Sequence, residues 1–326
     1  MKKVLFATTA LVFSAGIAAA EVSVGGDGRM GVMYNGSDWN FSSRIRVSFT
    51  ASGTTDGGLE FGGSVRADQA SAATNGTAAS VYISGAFGKL SMGDVVGAPE
   101  ALFGDLPEVG YTDLDGAGLG NVSGLATPAG LNGRPNLGAN EIPYLTGDNG
   151  GSVVAGTTTN DTSGPNLLYT GTFGAFSVAA SLSDGKVGST NYNQEYAVGA
   201  AYTFGNYTVG LGYEIVDPTT GSNAKQATLS GVGQFGNTSV KAYYADGSGS
   251  NNLDKAYGIG ATSVFGATSV MAYVNYAKAD DGTEGTAYGL GAAYDLGGGA
   301  SIVGGVADSD IAGTDTQADL GVKFSF

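Results

Sequence analysis

Apolar and polar residues alternate one by one along much of this chain. Trp39, Phe41, Ile45, Val47 and Phe49 oppose Asn40, Ser42, Arg44, Arg46, Ser48 and Thr50. Leu59, Phe61, Val65 and Ala67 oppose Glu60, Ser64, Arg66 and Asp68, and near the end Leu320, Val322, Phe324 and Phe326 oppose Asp319, Lys323 and Ser325. A period of two marks a β-strand with one apolar face. Aromatic-glycine pairs punctuate the alternation. Phe173-Gly174, Phe204-Gly205, Phe235-Gly236 and Phe265-Gly266 stand 31, 31 and 30 residues apart. Tyr294, before Gly297-Gly298-Gly299, follows after 29, and Phe326 ends the chain after another 32. Each node predicts one tight turn between two strands of about ten residues. That is the length that crosses a bilayer at a tilt.

Phe87-Gly88 and the cluster Ser52 to Gly57 add two more turns. Seven turns join fourteen strands. An opening strand from Val22 and a closing strand ending at Phe326 bring the count to sixteen. The expectation is an all-β fold, a 16-stranded antiparallel transmembrane β-barrel with its first and last strands paired. A soluble sandwich or lectin predicts the same alternation, but not seven turns at near-constant spacing. A calcium-binding β-solenoid repeats every nine residues or so rather than every thirty.

Residues 1–20 read as a secretory signal peptide, with Lys2 and Lys3, an apolar run from Val4 to Ile17, and Ala18-Ala19-Ala20 before the cleavage point. The mature domain is then 21–326, and losing two lysines takes the formal charge from −15 to −17. No later stretch approaches the 18 apolar residues of a membrane helix. The chain has no cysteine, so disulfides cannot hold it, and no histidine, which removes Ser-His and Cys-His catalysis and the commonest zinc ligand. An enzyme barrel is therefore not expected. The acidic balance argues against nucleic acid as a partner.

Between Phe87 and Phe173 lie 86 residues where about 30 would suffice. The excess predicts a loop over about 95–165. Its first part offers Leu102, Phe103, Leu106 and Tyr111 for packing and Glu100, Asp105, Glu108, Asp113 and Asp115 as charges. Such a loop either narrows a barrel from inside or lies outside it. Four of the five arginines of 21–326, Arg29, Arg44, Arg46 and Arg66, fall on the polar face of the first three strands. Adjacent strands place them in one basic patch on a lumen wall, since charge on the lipid face is costly. The acids outnumber the bases, so a modest preference for cations is expected. Most aromatics fall on the lipid face; Tyr82 and Tyr273 do not.

Several blocks resemble the general-diffusion porin family of purple non-sulfur alphaproteobacteria (the Rhodobacter type). They include Arg29-Met-Gly-Val-Met-Tyr-Asn-Gly36, Asp38-Trp-Asn-Phe-Ser-Ser-Arg44, Glu100-Ala-Leu-Phe-Gly-Asp-Leu106, Glu108-Val-Gly-Tyr-Thr-Asp-Leu-Asp115, Ile142-Pro-Tyr-Leu-Thr-Gly-Asp148 and Tyr294 to Gly305. Residues 116–140 and 149–163 depart from the pattern. The resemblance implies an outer-membrane homotrimer that passes small hydrophilic solutes and ions. It implies that the third outer loop folds inward. It places Arg29, Arg44, Arg46 and Arg66 on the basic side of the constriction, and Glu108, Asp113 and Asp115 on the acidic side. It requires no catalytic cofactor and suggests structural calcium, for which Glu100 and Asp148 match best. The rivals are a substrate-specific channel and a structural or adhesive barrel with a closed lumen.

Overall fold

Alternation fixes the strands, and the aromatic-glycine nodes fix where they turn. The structure, a computed structural model, describes residues 21–68, 78–114, 118–119, 122, 138–146, 167–183, 192–218 and 222–326. The signal peptide expected at 1–20 lies outside these residues. The strands are β1 (Glu21–Tyr34), β2 (Trp39–Thr54), β3 (Glu60–Asp68), β4 (Ala78–Gly85), β5 (Gly88–Gly93), β6 (Leu167–Phe173), β7 (Phe176–Ser183) and β8 (Tyr192–Phe204). They continue as β9 (Tyr207–Pro218), β10 (Ala224–Phe235), β11 (Thr238–Gly249), β12 (Leu253–Phe265), β13 (Thr268–Ala279), β14 (Glu284–Gly297), β15 (Ala300–Ser309) and β16 (Gln317–Ser325). Among the described residues, a single helix, α1 (Ala98–Phe103), sits between β5 and β6.

Each strand pairs antiparallel with its sequence neighbours, and β1 pairs with β16, so the sheet closes. Closure removes both sheet edges, which a lipid environment demands because nothing there can satisfy an open edge. The last residue is clasped to the first strand: Gly26 N–H donates to Phe326 O at 2.7 Å, and Phe326 N–H returns to Gly26 O at 3.0 Å.

All seven expected turns are present and lie on one rim. Four of them are two-residue turns that begin with glycine at φ near +60°, including Gly205 at 57° and Gly236 at 60°. A positive φ at only the first central position is the requirement of a type II′ hairpin turn, whose twist suits paired strands. The long connection between β5 and β6 is the third loop on the other rim.

The two faces of the wall differ as the alternation demands. Phe41 is 95% exposed and Leu229 55%, while the inward-facing Gln226 and Thr228 are fully buried. Outward-facing rings meet across strands near both rims, with Phe204 and Tyr207 at 5.7 Å, Tyr207 and Phe235 at 5.6 Å, and Tyr257 stacked on Tyr276 at 4.6 Å. An apolar outer band between aromatic girdles is stable in a bilayer and not in water.

The II′ glycines supply the first prediction. A methyl group at Gly205 or Gly236 would point into open space, so Gly→Ala there costs only the left-handed backbone. Each substitution should lower the unfolding free energy by roughly 1 kcal/mol. Urea unfolding of the detergent-solubilised barrel measures this, and an unchanged midpoint would mean the turn type is wrong.

Candidate functional site

The loop after β5 begins with a helix built for contact rather than for intrinsic stability. Helix α1 is only six residues long, starts at Ala98 with Pro99 in its first turn, and is capped at its end by Gly104. One turn and a half is far too short to be stable alone, so its apolar residues hold it against β6 to β9. Phe103 is buried and Leu102 packs beside it. Beyond the helix, Leu106, Val109, Tyr111 and Leu114 are all at most 2% exposed.

The partners of these residues are glycines on the lumen face of the barrel. A methyl group added at Gly212 of β9 would lie 2.7 Å from Pro99, and one at Gly258 of β12 would lie 2.9 Å from Leu106. One at Gly260 would collide with Pro107, one at Gly305 of β15 would reach Val109 at 2.6 Å, and one at Gly321 of β16 would reach Tyr111 at 2.9 Å. The segment from α1 to Leu114 therefore runs inside the barrel, along the wall from β6 round to β1.

Irregular backbone inside a barrel must find hydrogen-bond partners, and the wall provides them. Ala98 N–H donates to Ser181 Oγ at 2.9 Å. Thr146 N–H and Oγ1–H both donate to Glu214 Oε1 at 2.8 Å. Gln226 Nε2 donates to Pro143 O at 2.7 Å, and Asn275 Nδ2 donates to Glu141 O at 2.8 Å. Thr112 N–H and Oγ1–H donate to Asp319 Oδ2 at 2.7 Å. Arg29 donates to Tyr111 O at 3.0 Å. The outgoing and returning parts of the loop are zipped together by Leu106 N–H to Asn140 O at 3.1 Å and Ile142 N–H to Asp105 Oδ1 at 2.8 Å. Tyr144 donates to Gly104 O at 2.8 Å. Burial first, and then the carboxylates of Asp105, Glu100 and Glu214, raise its phenol well above the ordinary value, so it stays a donor.

The charges gather where the loop meets β1 and β16. Arg29 is directly opposite Arg44 on one side and Lys323 on the other. Arg46 and Arg66 continue the same face on β2 and β3, since Arg46 pairs with Asp68 and Arg66 with Ser48. The four expected arginines are thus contiguous. Lys323 joins them because the barrel closes, a consequence of parity and closure that either signal alone does not reveal.

The acids do not all face the bases across a gap. Asp113 lies 3.6 Å from both Arg29 and Lys323, and Glu108 lies 3.4 Å from Lys323. The loop tip reaches the basic patch itself because Tyr111 seats between β1 and β16 and carries Asp113 with it. Asp113 and Leu114 hold φ of 72° and 51°, a left-handed pair costing roughly 1–2 kcal/mol each. Burial of Leu114 and the two ion pairs of Asp113 offset that cost. Arg44 pairs with Asp27 at 3.4 Å. Asp105, Glu108, Asp113 and Glu141 edge a recess of about 290 Å³.

Asp115 and Asp148 lie outside the described residues. Glu100 stands in the first turn of α1. Among the described residues, no three acidic side chains are arranged to hold a metal ion; the calcium expected at Glu100 and Asp148 involves a residue outside them.

Residues 7–314 match the family model of Gram-negative porins. The chain belongs to that family. It is 53% identical to a porin of Rhodobacter capsulatus, over 94% of this chain and all of that one, and 30% identical to a porin of Fuscovulum blasticum at the same coverage. A porin structure refined at 1.8 Å resolution aligns with a TM-score of 0.76 at 50% identity, covering 94% of this chain and 100% of that one. A mutant of the Rh. blastica porin shares the fold, with a TM-score of 0.63 at 22% identity. As a porin the protein is an outer-membrane β-barrel and a channel rather than an enzyme.

For this porin the lumen glycines are the residues that sequence reading missed. Their signal was Gly-x-Gly on the polar face of a strand, as at Gly210/Gly212 and Gly258/Gly260, which marks close backbone approach. Gly212→Val should push Pro99 away and loosen α1, at a cost of about 1–3 kcal/mol. Limited proteolysis of the folded variant should cut within 98–114 while the strands stay intact. Resistance equal to the native barrel would contradict the socket role.

Proposed function

We propose that the barrel passes small hydrophilic solutes and ions by passive diffusion through a water-filled lumen, and that residues 98–114 and 138–146 form its constriction. The observation that carries this reading is the chain of contacts from Pro99 to Tyr111 along the lumen wall. They fill one side of the lumen. The face bearing Arg44, Arg46 and Arg66 remains the other side. A solute is then sorted by size at the gap and by charge in the field between Glu108, Asp113, Asp105 and Glu141 and the arginines. No group needs to react. Removing residues 106–113 should raise the size limit for neutral sugars in liposome swelling. An unchanged limit, in a variant with native β-sheet content, would refute the constriction.

Selectivity follows from where the charges are balanced. In the constriction Glu108 and Asp113 are paired with Lys323 and Arg29. The connections of the loop rim carry Asp38, Asp280, Asp281, Asp310 and Asp315. Asp280 has its carboxyl raised, first by burial and then by the neighbouring Asp254 and Asp281 charges. These rim acids support a weak cation preference. Screening acts over about 8 Å at physiological salt, so the preference should fade as salt rises. Asp280, with its raised pKa, takes up a proton before an ordinary aspartate does as pH falls. The preference should therefore begin to decline there.

Replacing Arg44 and Arg46 together by Gln should strengthen the cation preference, because offsetting positive charge is lost while the loop acids remain. The zero-current potential across a planar bilayer under a salt gradient reads this out. A shift toward anions, or none, would mean the two arginines do not border the pathway.

The same reading includes a homotrimer. The outward face over β1 to β5 is concave and apolar, a groove of about 890 Å³ lined by Val22, Phe49, Phe61, Val65, Val81 and Met92. Strand β5 is short, at six residues, which suits contact with another copy better than a full lipid span. Sedimentation in detergent should give three chains per particle, and one chain would contradict it.

A further inference from the structure

The end of α1 poses a problem that the helix cannot solve alone. A helix leaves its last carbonyls without partners, and a cation near that end is favourable. Helix α1 has no basic residue in its last turn. Gly104 N–H closes onto Glu100 O at 2.8 Å, and Gly104 O takes the Tyr144 hydroxyl. The carbonyls of Phe103 and Asp105 take their donor from the barrel wall. Lys241 Nζ donates to Phe103 O at 2.5 Å and to Asp105 O at 2.6 Å. Lys241 stands on β11 directly opposite Gly260 of β12, the glycine that makes room for Pro107. One ammonium group therefore spans the point where the helix ends and the chain sets off across the lumen.

We propose that Lys241 is the latch that sets the aperture of the pore, a specificity-determining residue that acts by positioning the loop. This rests on the reading of 98–114 as the constriction. The other wall tethers hold the start, the tip or the returning part of the loop. Lys241 alone among them joins two carbonyls flanking the bend between α1 and Leu106. A charged donor shared by two part-buried carbonyls is worth more than a neutral one, and the substitution takes that donor from both. The bend is then free to open, although the sockets on either side still hold.

The test uses K241A, K241M and K241R in planar bilayers and in liposome swelling. K241A removes a group the size of propylammonium. Barrels of K241A and K241M with native β-sheet content should admit a neutral sugar near the native size limit several-fold faster, with current that steps between levels. K241R, which keeps the charge and the donors, should retain the narrow, steady pore. Millimolar propylammonium should restore the narrow pore in K241A, and propanol should not. Equal rescue by propanol would mean that packing alone holds the bend, and would overturn the latch. So would an unchanged size limit and steady current in both neutral variants. If removal of 106–113 widens the pore while the Lys241 variants do not, the latch fails and the constriction stands; if neither widens it, the constriction itself fails.

Discussion

Backbone inside a membrane barrel has no free choice of partners. Every N–H and C=O of a segment that leaves the sheet must be satisfied by the wall, by its own chain or by water, because an orphaned buried group costs about 1–3 kcal/mol. The rest of the structure answers that demand. Ser181, Glu214, Gln226, Lys241, Asn275, Asp319 and Arg29 each reach from a strand to the backbone of the loop. They come from β7, β9, β10, β11, β13, β16 and β1. The loop is thereby fastened along more than half of the circumference rather than hinged at its base.

Polar tethers work only if the chain can come close, and closeness is a matter of missing side chains. A residue larger than glycine at position 212, 260, 305 or 321 would occupy space that Pro99, Pro107, Val109 or Tyr111 fills. Glycine in a strand interior usually weakens it. Here the loss is accepted on the lumen face because the sheet is closed and the glycines bury loop side chains instead of their own. Among the described glycines, some, such as Gly205 and Gly236, form turns on the short rim, and others, such as Gly212 and Gly260, are sockets in the lumen.

The barrel was legible because its causes are local and repeat. Alternation of single residues and an aromatic-glycine node every thirty positions specify strands, faces and turns without any knowledge of tertiary contacts. The basic patch was legible for the same reason: Arg44, Arg46 and Arg66 share parity on adjacent strands. Lys323 needed parity and the expected closure read together, because its neighbour Arg29 is almost 300 residues away and only closure brings them side by side. Helix α1 was hidden. Six residues carry little periodic signal, and what stabilises them is Phe103 against the lumen face of β9 rather than helix propensity. The sense in which the acids face the arginines is likewise a tertiary fact, decided by where Tyr111 seats.

The claim beneath all of this is that the segment after β5 is held inside the lumen by the wall. Amide hydrogen exchange on the intact barrel in detergent micelles tests it most directly. The N–H groups of Ala98, Thr112 and Thr146 donate to Ser181, Asp319 and Glu214, so their exchange should be slowed by orders of magnitude, approaching the strand amides. Exchange at those three amides as fast as in an unstructured peptide, in barrels whose strands remain protected, would contradict the account.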